Sequence, residues 1–417
     1  MTNDGGQTTR KTIIAMISII IATVALTGCV LLLEDSVERV SEHRVVAHTR
    51  PTIDQIVVSD YDEFVATILG FITEEETEFQ LIYNHHDGED VQAGAQRARL
   101  EIMYEHPLGA FAVANITIEA TIIVSYYEVE VEIEYKRTKE QIDSIISVPT
   151  ERHMMTQLLS IMSEYREEAV IRTNMRITES DIAELVRETY YRNPHLIVML
   201  PIMAIERFPE EGVDRIYEIQ FSYAERPRMM RQFGALLEEY ILRNAELAVG
   251  NTDSEILLSL AESLIGSTNF DEDIARTIHA HGAQNLAATA FGALVRGSAV
   301  GEGFAMAFKA LADNLGFDCR VVLGYYDGMV HAWNVVLLYG EYYHIDVAMC
   351  VVHGLEAGFL KTDADFEQLY TWDRANTVRC EGELTLDDIA GSEDVDEPDD
   401  PENLENNDEQ NDEEEDQ

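Results

Sequence analysis

The sequence predicts an α+β protein: two copies of one α+β module, then a third helix-and-sheet domain, then an acidic tail. Three observations predict it. A helical pattern, a proline-ended helix and a run of alternating strand residues occur in that order twice. Further on, a helical run is followed by three short strand-like stretches. Beyond Glu381 the chain turns to acid, Asn and Gln with few apolar residues, and such a stretch buries too little surface to fold.

A length of 417 residues favours two or three domains over one. The 46% hydrophobic content and only 9 prolines leave ample material for packed cores. Net charge is −49, and the stretch from Ser392 to Gln417 holds 15 acidic residues and no basic ones. Phosphate backbones would be repelled, so no nucleic-acid partner is expected. So much acid reads first as solubility in a salty or alkaline medium, and second as recruitment of cations or basic partners. The four cysteines, Cys29, Cys319, Cys350 and Cys380, form neither a disulfide framework nor a zinc-like spacing. A Cys350–Cys380 bridge is open from sequence alone.

At the N-terminus, Arg10-Lys11 precede an apolar run that ends in Leu26-Thr27-Gly28-Cys29. A basic start, an apolar stretch and small residues before a cysteine make an export signal. Residues 1–29 therefore read as a lipoprotein-type signal lipidated at Cys29, or as an uncleaved anchor, because the apolar run resumes through Leu33. Either reading places the protein outside the cytoplasm, held at the cell membrane. Residues 30–61 are a lead-in. Module A, 62–150, opens with Phe64, Ile68 and Leu69 at helical spacing. It continues with a helix read as closing at Pro107, and finishes with the alternating strand Val129 to Tyr135. Module B, 151–245, repeats this with Met155, Leu158, Leu159 and Met162, then Pro194, then Ile216 to Tyr223. The two prolines lie 87 residues apart and the two closing tyrosines 88, which argues for duplication. Neither module carries a glycine loop, a His/Cys cluster or a basic groove, and both read as spacers or accessory binding layers. Gly250-Asn-Thr-Asp marks the next boundary, and the third domain spans 254–381. Its helix runs from Glu302 to Leu315, with Phe304, Phe308 and Leu311 on one face and Gly316 as its stop. Its strands are Cys319 to Gly324, Ala332 to Leu338 and Tyr342 to Val347. The tail occupies 392–417.

Three motifs in this domain occur in a telling order: Gly297-Ser-Ala-Val-Gly301-Glu302-Gly303-Phe304-Ala305, His331-Ala-Trp333-Asn334, and Tyr342-Tyr-His-Ile-Asp346. Together they resemble the bacterial transglutaminase-like family, which has a papain-like fold. Phe359 to Asp363 and Tyr370 to Asp373 also look like that family's C-terminal strands. The resemblance implies a nucleophilic cysteine at a helix N-terminus, where unpaired N–H groups lower its pKa. It implies a histidine on one strand and a carboxylate that orients the ring. His331 and Asp346 match these two roles. The nucleophile's place holds Gly301, and Asp346-Val347 is followed by Ala348-Met349 where the family has Thr-Trp.

No other residue takes over the role by position. Ser298 stands upstream of the helix end, Cys319 opens a strand and packs as a small apolar residue, and no motif presents Cys350 or Cys380 to His331. A metal held by His331, Asp346 and Glu302 has no supporting spacing, so neither metal nor cofactor is expected. His279 and His281 read as surface or helix residues. Without a thiol there is no acyl-enzyme. The sequence thus reads as a pseudoenzyme whose old cleft, at Gly301, Glu302, Trp333 and Asn334, binds peptide or cell-wall material. Two other readings stand beside it: a transglutaminase-like hydrolase or acyltransferase with another nucleophile, and a purely structural part of a surface assembly.

Overall fold

A computed structural model describes residues 56–84 and 90–390. The anchor with Cys29, most of the lead-in and the acidic tail lie outside the described residues. No helix among the described residues is long and apolar enough to cross a membrane.

Module A begins earlier than its sequence pattern, with strand β1 (Ile56–Val58). Helix α1 (Tyr61–Thr73) follows; Asp60 caps it, accepting from the Glu63 N–H at 2.8 Å. Next come β2 (Glu78–Tyr83) and α2 (Val91–Leu100), whose end widens into a π-helical turn, Glu101–Glu105. Pro107 then opens a new helix, α3 (Pro107–Ala112), instead of only closing the one before. A proline at the first helical position lacks an N–H that would have no partner there anyway. Long strands β3 (Val113–Ile123) and β4 (Tyr126–Tyr135) complete a sheet ordered β1-β2-β4-β3. Module B starts before the boundary at 151 that its sequence pattern gave, with α4 (Lys139–Asp143) and β5 (Ile145–Ser147), then α5 (Glu151–Ser163), β6 (Glu168–Thr173), α6 (Glu179–Arg192), β7 (Ile202–Phe208) and β8 (Arg215–Ser222). Its sheet, β5-β6-β8-β7, has the same order, with the first pair parallel and the other two antiparallel in both modules.

Helix α7 (Pro227–Leu247) leads to α8 (Asp253–Ser267), whose N-cap Thr252 accepts from the Glu255 N–H. The third domain continues through β9 (Asn269–Phe270), α9 (Glu272–Ala275) and β10 (Ser298–Ala299) to α10 (Gly301–Asn314). Then come β11 (Cys319–Tyr326), β12 (Met329–Leu338), β13 (Glu341–Ile345), α11 (Val347–His353) and β14 (Tyr370–Trp372), giving the antiparallel sheet β13-β12-β11-β14. Phe359 to Asp363, expected as a strand, makes only an isolated bridge from Lys361 to His344. Leu360 sits at φ +50, outside the extended region, so the chain bends there.

Core packing does not follow the predicted boundaries. The core of module A, around Phe64, Ile68, Phe111 and Val131, also takes in Val170 and Ile216 from module B. Module B and the third domain share one, in which Tyr190, Leu237, Leu260, Phe291, Phe304 and Phe308 belong to a single cluster. Phe233 on α7 stacks on Phe291 with ring centroids 4.6 Å apart. Helix α10 lies at the centre and is buried from Gly301 to Ala312, all but its last two residues. A helix buried all round needs small residues where neighbours press closest. At Gly303 a β-carbon would stand 2.2 Å from the Ala287 carbonyl oxygen, so no side chain fits. Lys309, also buried, is neutralised by Asp313 at 2.8 and 3.0 Å and donates to the Cys319 carbonyl at 2.6 Å.

Candidate active site

The third domain brings Gly301, His331 and Asp346 together. Gly301 is the first residue of α10, and Val300 before it provides no side-chain cap. His331 is the third residue of β12 instead of its first, because that strand starts at Met329. Asp346 lies just past β13 and caps α11, its Oδ1 accepting from the Met349 N–H at 3.1 Å. Its Oδ2 lies 2.6 Å from His331 Nε2 and accepts the Tyr370 hydroxyl at 2.8 Å. A carboxylate only accepts, so Nε2 carries the proton in this contact. That leaves Nδ1 as the free ring nitrogen.

Nδ1 points at Gly301. A β-carbon built on residue 301 would stand 2.3 Å from Nδ1 and 2.4 Å from Cε1. The imidazole thus occupies the volume that a side chain at 301 would need. The glycine therefore leaves no open space beside the helix end: the histidine fills it. His331 keeps only 8% of its surface exposed, and Nδ1 has no hydrogen-bond partner among the described residues.

Tyr370 is the site residue that sequence reasoning missed. Burial, reinforced by the Asp346 charge and the hydrogen bond to it, raises its pKa well above the ordinary phenol value. The only local signal was its place in a short strand after Asp346.

The remaining predicted residues face inward. Glu302 is 3% exposed; its Oε1 accepts from the Tyr191 hydroxyl at 2.9 Å and from the Gly282 N–H at 3.0 Å. His281 Nδ1 lies 3.7 Å from the same carboxylate, so His281 belongs to this buried cluster and not to the surface. Tyr191 comes from α6, so Glu302 ties module B to the N-terminus of α10. Trp333 and Asn334 are both fully buried. Asn334 Nδ2 donates to the Ala305 carbonyl at 2.9 Å, fixing β12 to α10. Trp333 sits among His331, His344, Phe366, Tyr370 and Trp372, and its Nε1–H donates to His344 Nδ1 at 2.9 Å.

His344, Asp363 and Cys380 offer ligand atoms within 4.8 Å of one another, which is close enough to hold a metal. The hydrogen bonds argue against it. The indole N–H only donates, so it takes the lone pair of His344 Nδ1; Nε2 then carries its hydrogen toward Asp363 Oδ1, 2.8 Å away. Neither nitrogen keeps a lone pair for a metal. Burial holds the His344 pKa below its ordinary value, in keeping with a neutral ring.

The thiols give no substitute nucleophile among the described residues. Cys319, Cys350 and Cys380 are free and buried, and none hydrogen-bonds to His331. Burial pushes the thiols of Cys350 and Cys380 up to about 12, with the Asp346 and Asp363 charges adding in the same direction. Cys319 is raised further, again by burial first. The thiol is the inert form, so none of the three is primed.

Residues 249–347 match the transglutaminase-like superfamily. This transglutaminase-like domain therefore covers the helix, both motif-bearing strands and Asp346. Among solved structures, one described as a TGase is 14% identical, with a TM-score of 0.26, over 52% of this chain and 60% of its own. A cysteine-protease candidate from Cytophaga hutchinsonii is 13% identical, with a TM-score of 0.22, over 35% and 62%. A protease candidate from Parabacteroides distasonis is 6% identical, with a TM-score of 0.19, over 65% and 43%. The chain thus spans less than two thirds of each of these structures. No curated protein matches it.

Proposed function

We propose that this chain is an extracytoplasmic, membrane-anchored pseudoenzyme whose transglutaminase-like domain binds peptide or cell-wall material without acyl transfer. The observation that carries the proposal is Gly301, with the His331 ring seated where a nucleophile's β-carbon would stand. Acyl transfer through this site requires a thiolate between the helix end and Nδ1, and none of the described cysteines stands there. Losing a triad nucleophile costs roughly 10⁶-fold in kcat in serine enzymes of the same logic. The anchor rests on Arg10-Lys11 and the apolar run to Cys29.

What supports binding is a set of backbone N–H donors without described partners at the start of α10. Helix α10 starts with no side-chain cap, and His331 Nδ1 faces it. Such a helix end favours an anion, and the C-terminal carboxylate of a peptide fits that chemistry. A structural reading draws on a different observation, the Glu302–Tyr191 bond that knits α10 to module B.

The test is alkylation of each cysteine by iodoacetamide against pH, resolved by peptide mass. The proposal expects Cys319, Cys350 and Cys380 to react far more slowly than an unfolded thiol up to pH 9. One wild-type thiol reacting fast near pH 7, and slowing in His331→Ala, would establish an enzyme instead. For binding, the probe is a labelled triglycine peptide with a free carboxylate, compared with its amide. Preference for the carboxylate, lost in His331→Ala, supports the binding reading; equal affinities would leave only the structural one.

A further inference from the structure

The two modules share a topology but treat the same sheet edge differently. In both, the last-placed strand of the sheet is an edge: β3 in module A and β7 in module B. Ladder phase tells which backbone groups point outward. In module A the Ile133 N–H donates to the Thr77 carbonyl, so alternate β4 residues face β2, and the residues of β3 pointing away from β4 are Ile116, Ile118 and Ala120. Two of these outward carbonyls are closed off by α2: Arg99 Nε donates to Ile116 O and Gln92 Nε2 to Ala120 O, each at 2.8 Å. This is a guarded edge.

In module B the Phe221 N–H donates to the Glu167 carbonyl, and the same phase leaves Met203, Ile205 and Arg207 of β7 pointing outward. No described residue donates to or accepts from their backbone groups. Helix α6 is the counterpart of α2, and Arg187 is its counterpart of Arg99. Arg187 instead pairs along its own helix with Glu184 at 2.9 Å, leaving Met203 O, which occupies the register position of Ile116 O, uncovered.

The structure assigns to β7 a docking edge for an extended, positively charged polypeptide segment of another protein, bound by strand addition. Outward N–H and C=O groups repeated at every second residue are satisfied by an extended backbone. Charge selects among extended backbones. Arg207 on the edge is already matched by Glu179 and Glu210 at 3.3 Å, Glu206 on β7 and Glu211 just beyond it remain as exposed acid, and the chain carries −49. A second copy would bring the same charge to the edge, and the acidic tail would bring more, so a basic strand fits best. The edge also starts beside the remnant site. Gln284 donates to the Leu200 carbonyl two residues before β7, and the neighbouring Gly282 N–H bonds Glu302. The assignment stands on the ladder and the charge, independently of any ligand at His331.

The experiment uses the full chain and two eight-residue probes, one alternating Lys and Val and one alternating Glu and Val, at 0.5 M salt to screen non-specific attraction. Hydrogen exchange by mass spectrometry follows the segment 202–208. The Lys-Val peptide is expected to slow exchange there at least tenfold, and the Glu-Val peptide to leave it unchanged. A Lys-Val peptide N-methylated at every second residue keeps its charge; of the two alternating patterns, one should abolish binding and the other spare it. Ile205→Pro should remove the effect with the melting transition still cooperative, since an edge strand tolerates proline where its N–H faces out. If that variant fails to fold, the N-methylated pair decides between edge pairing and simple charge attraction. Slowing elsewhere on the chain, or equal binding of both N-methylated patterns, would overturn the assignment. Protection already present in the free chain would overturn it too. Protection that rises with protein concentration would mean a second copy, and protection independent of concentration would mean a segment of the same chain.

Discussion

The His331 imidazole and the absent side chain at 301 are one feature seen from two sides. Nε2 is drawn to an Asp346 carboxylate that also collects Tyr370 and the Met349 N–H, so the ring cannot easily swing away. A β-carbon at 301 must displace either that ring or the helix. Gly301→Ala should therefore destabilise the fold by about 1–3 kcal/mol, the usual range for overpacking a core. In the Gly301→Ala/His331→Ala double variant most of that loss should vanish, giving a coupling of about 1 kcal/mol or more in urea unfolding. Strict additivity would show that His331 does not hold the space. Tyr370 gives a second test at this scale. Its raised pKa means that the folded chain keeps the phenol proton above pH 10 while the unfolded chain loses it. Its stabilisation is thus complete below pH 10 and is lost as pH rises toward the folded value. Tyr370→Phe should cost about 1–3 kcal/mol at pH 8 through the lost hydrogen bond. It should also flatten the fall in stability above pH 10, by up to about 1.4 kcal/mol per pH unit. A slope unchanged between pH 10 and 11 would remove Tyr370 from the site's electrostatics.

At the scale of elements, Asp346 does two jobs, capping α11 and holding His331. Asparagine keeps an oxygen for the Met349 N–H, whereas alanine keeps neither function. Asp346→Asn should thus retain about 1 kcal/mol that Asp346→Ala loses, the ordinary worth of an N-cap. Equal urea midpoints would mean that the cap contributes nothing. Much of this architecture was legible in the chain. Phe304, Phe308 and Leu311 gave α10 and Gly316 its end, because a buried helix and its left-handed stop leave strong local marks. The repeat was legible from Pro107 and Pro194 and from the alternation of β4 and β8, although Pro107 proved to start a helix. Strands β1 and β5 left no mark, since three residues cannot display alternation and both are fixed by parallel pairing to a distant strand. Phe359 and Leu360 looked like strand because they are apolar; they are buried, but by a bend. The Glu302 cluster had no local signal at all, because Tyr191 lies 111 residues away and only the packing of α6 on α10 unites them.

At the scale of the whole molecule, charge sets the conditions under which the fold is stable. The exposed face of the module A sheet carries Glu78, Glu119, Glu128, Glu130, Glu132 and Glu134, and no ion pair among the described residues reaches any of them. Glu78 stands directly opposite Glu132, and Glu119 opposite Glu130. Like charges facing each other across strands are destabilising, each pair by a few tenths to about 1 kcal/mol. Behind this local repulsion lies the field of a chain at −49. The hydrogen bond from Gln80 to Glu130, at 2.8 Å, relieves the sheet face at one point. Salt shortens the screening length from about 10 Å at 0.1 M to about 3 Å at 1 M, below the spacing of next-nearest glutamates along a strand. The urea midpoint should therefore climb as KCl rises from 0.1 to 1 M, with the free energy growing by a few kcal/mol. Glu130→Lys places a cation between Glu78, Glu119 and Glu132; it should raise stability at 0.1 M salt and shrink the gain from added salt. If instead the wild-type midpoint is flat or falls with KCl, the ion pairs elsewhere on the chain outweigh the repulsion, and the acidic face is neutral to folding.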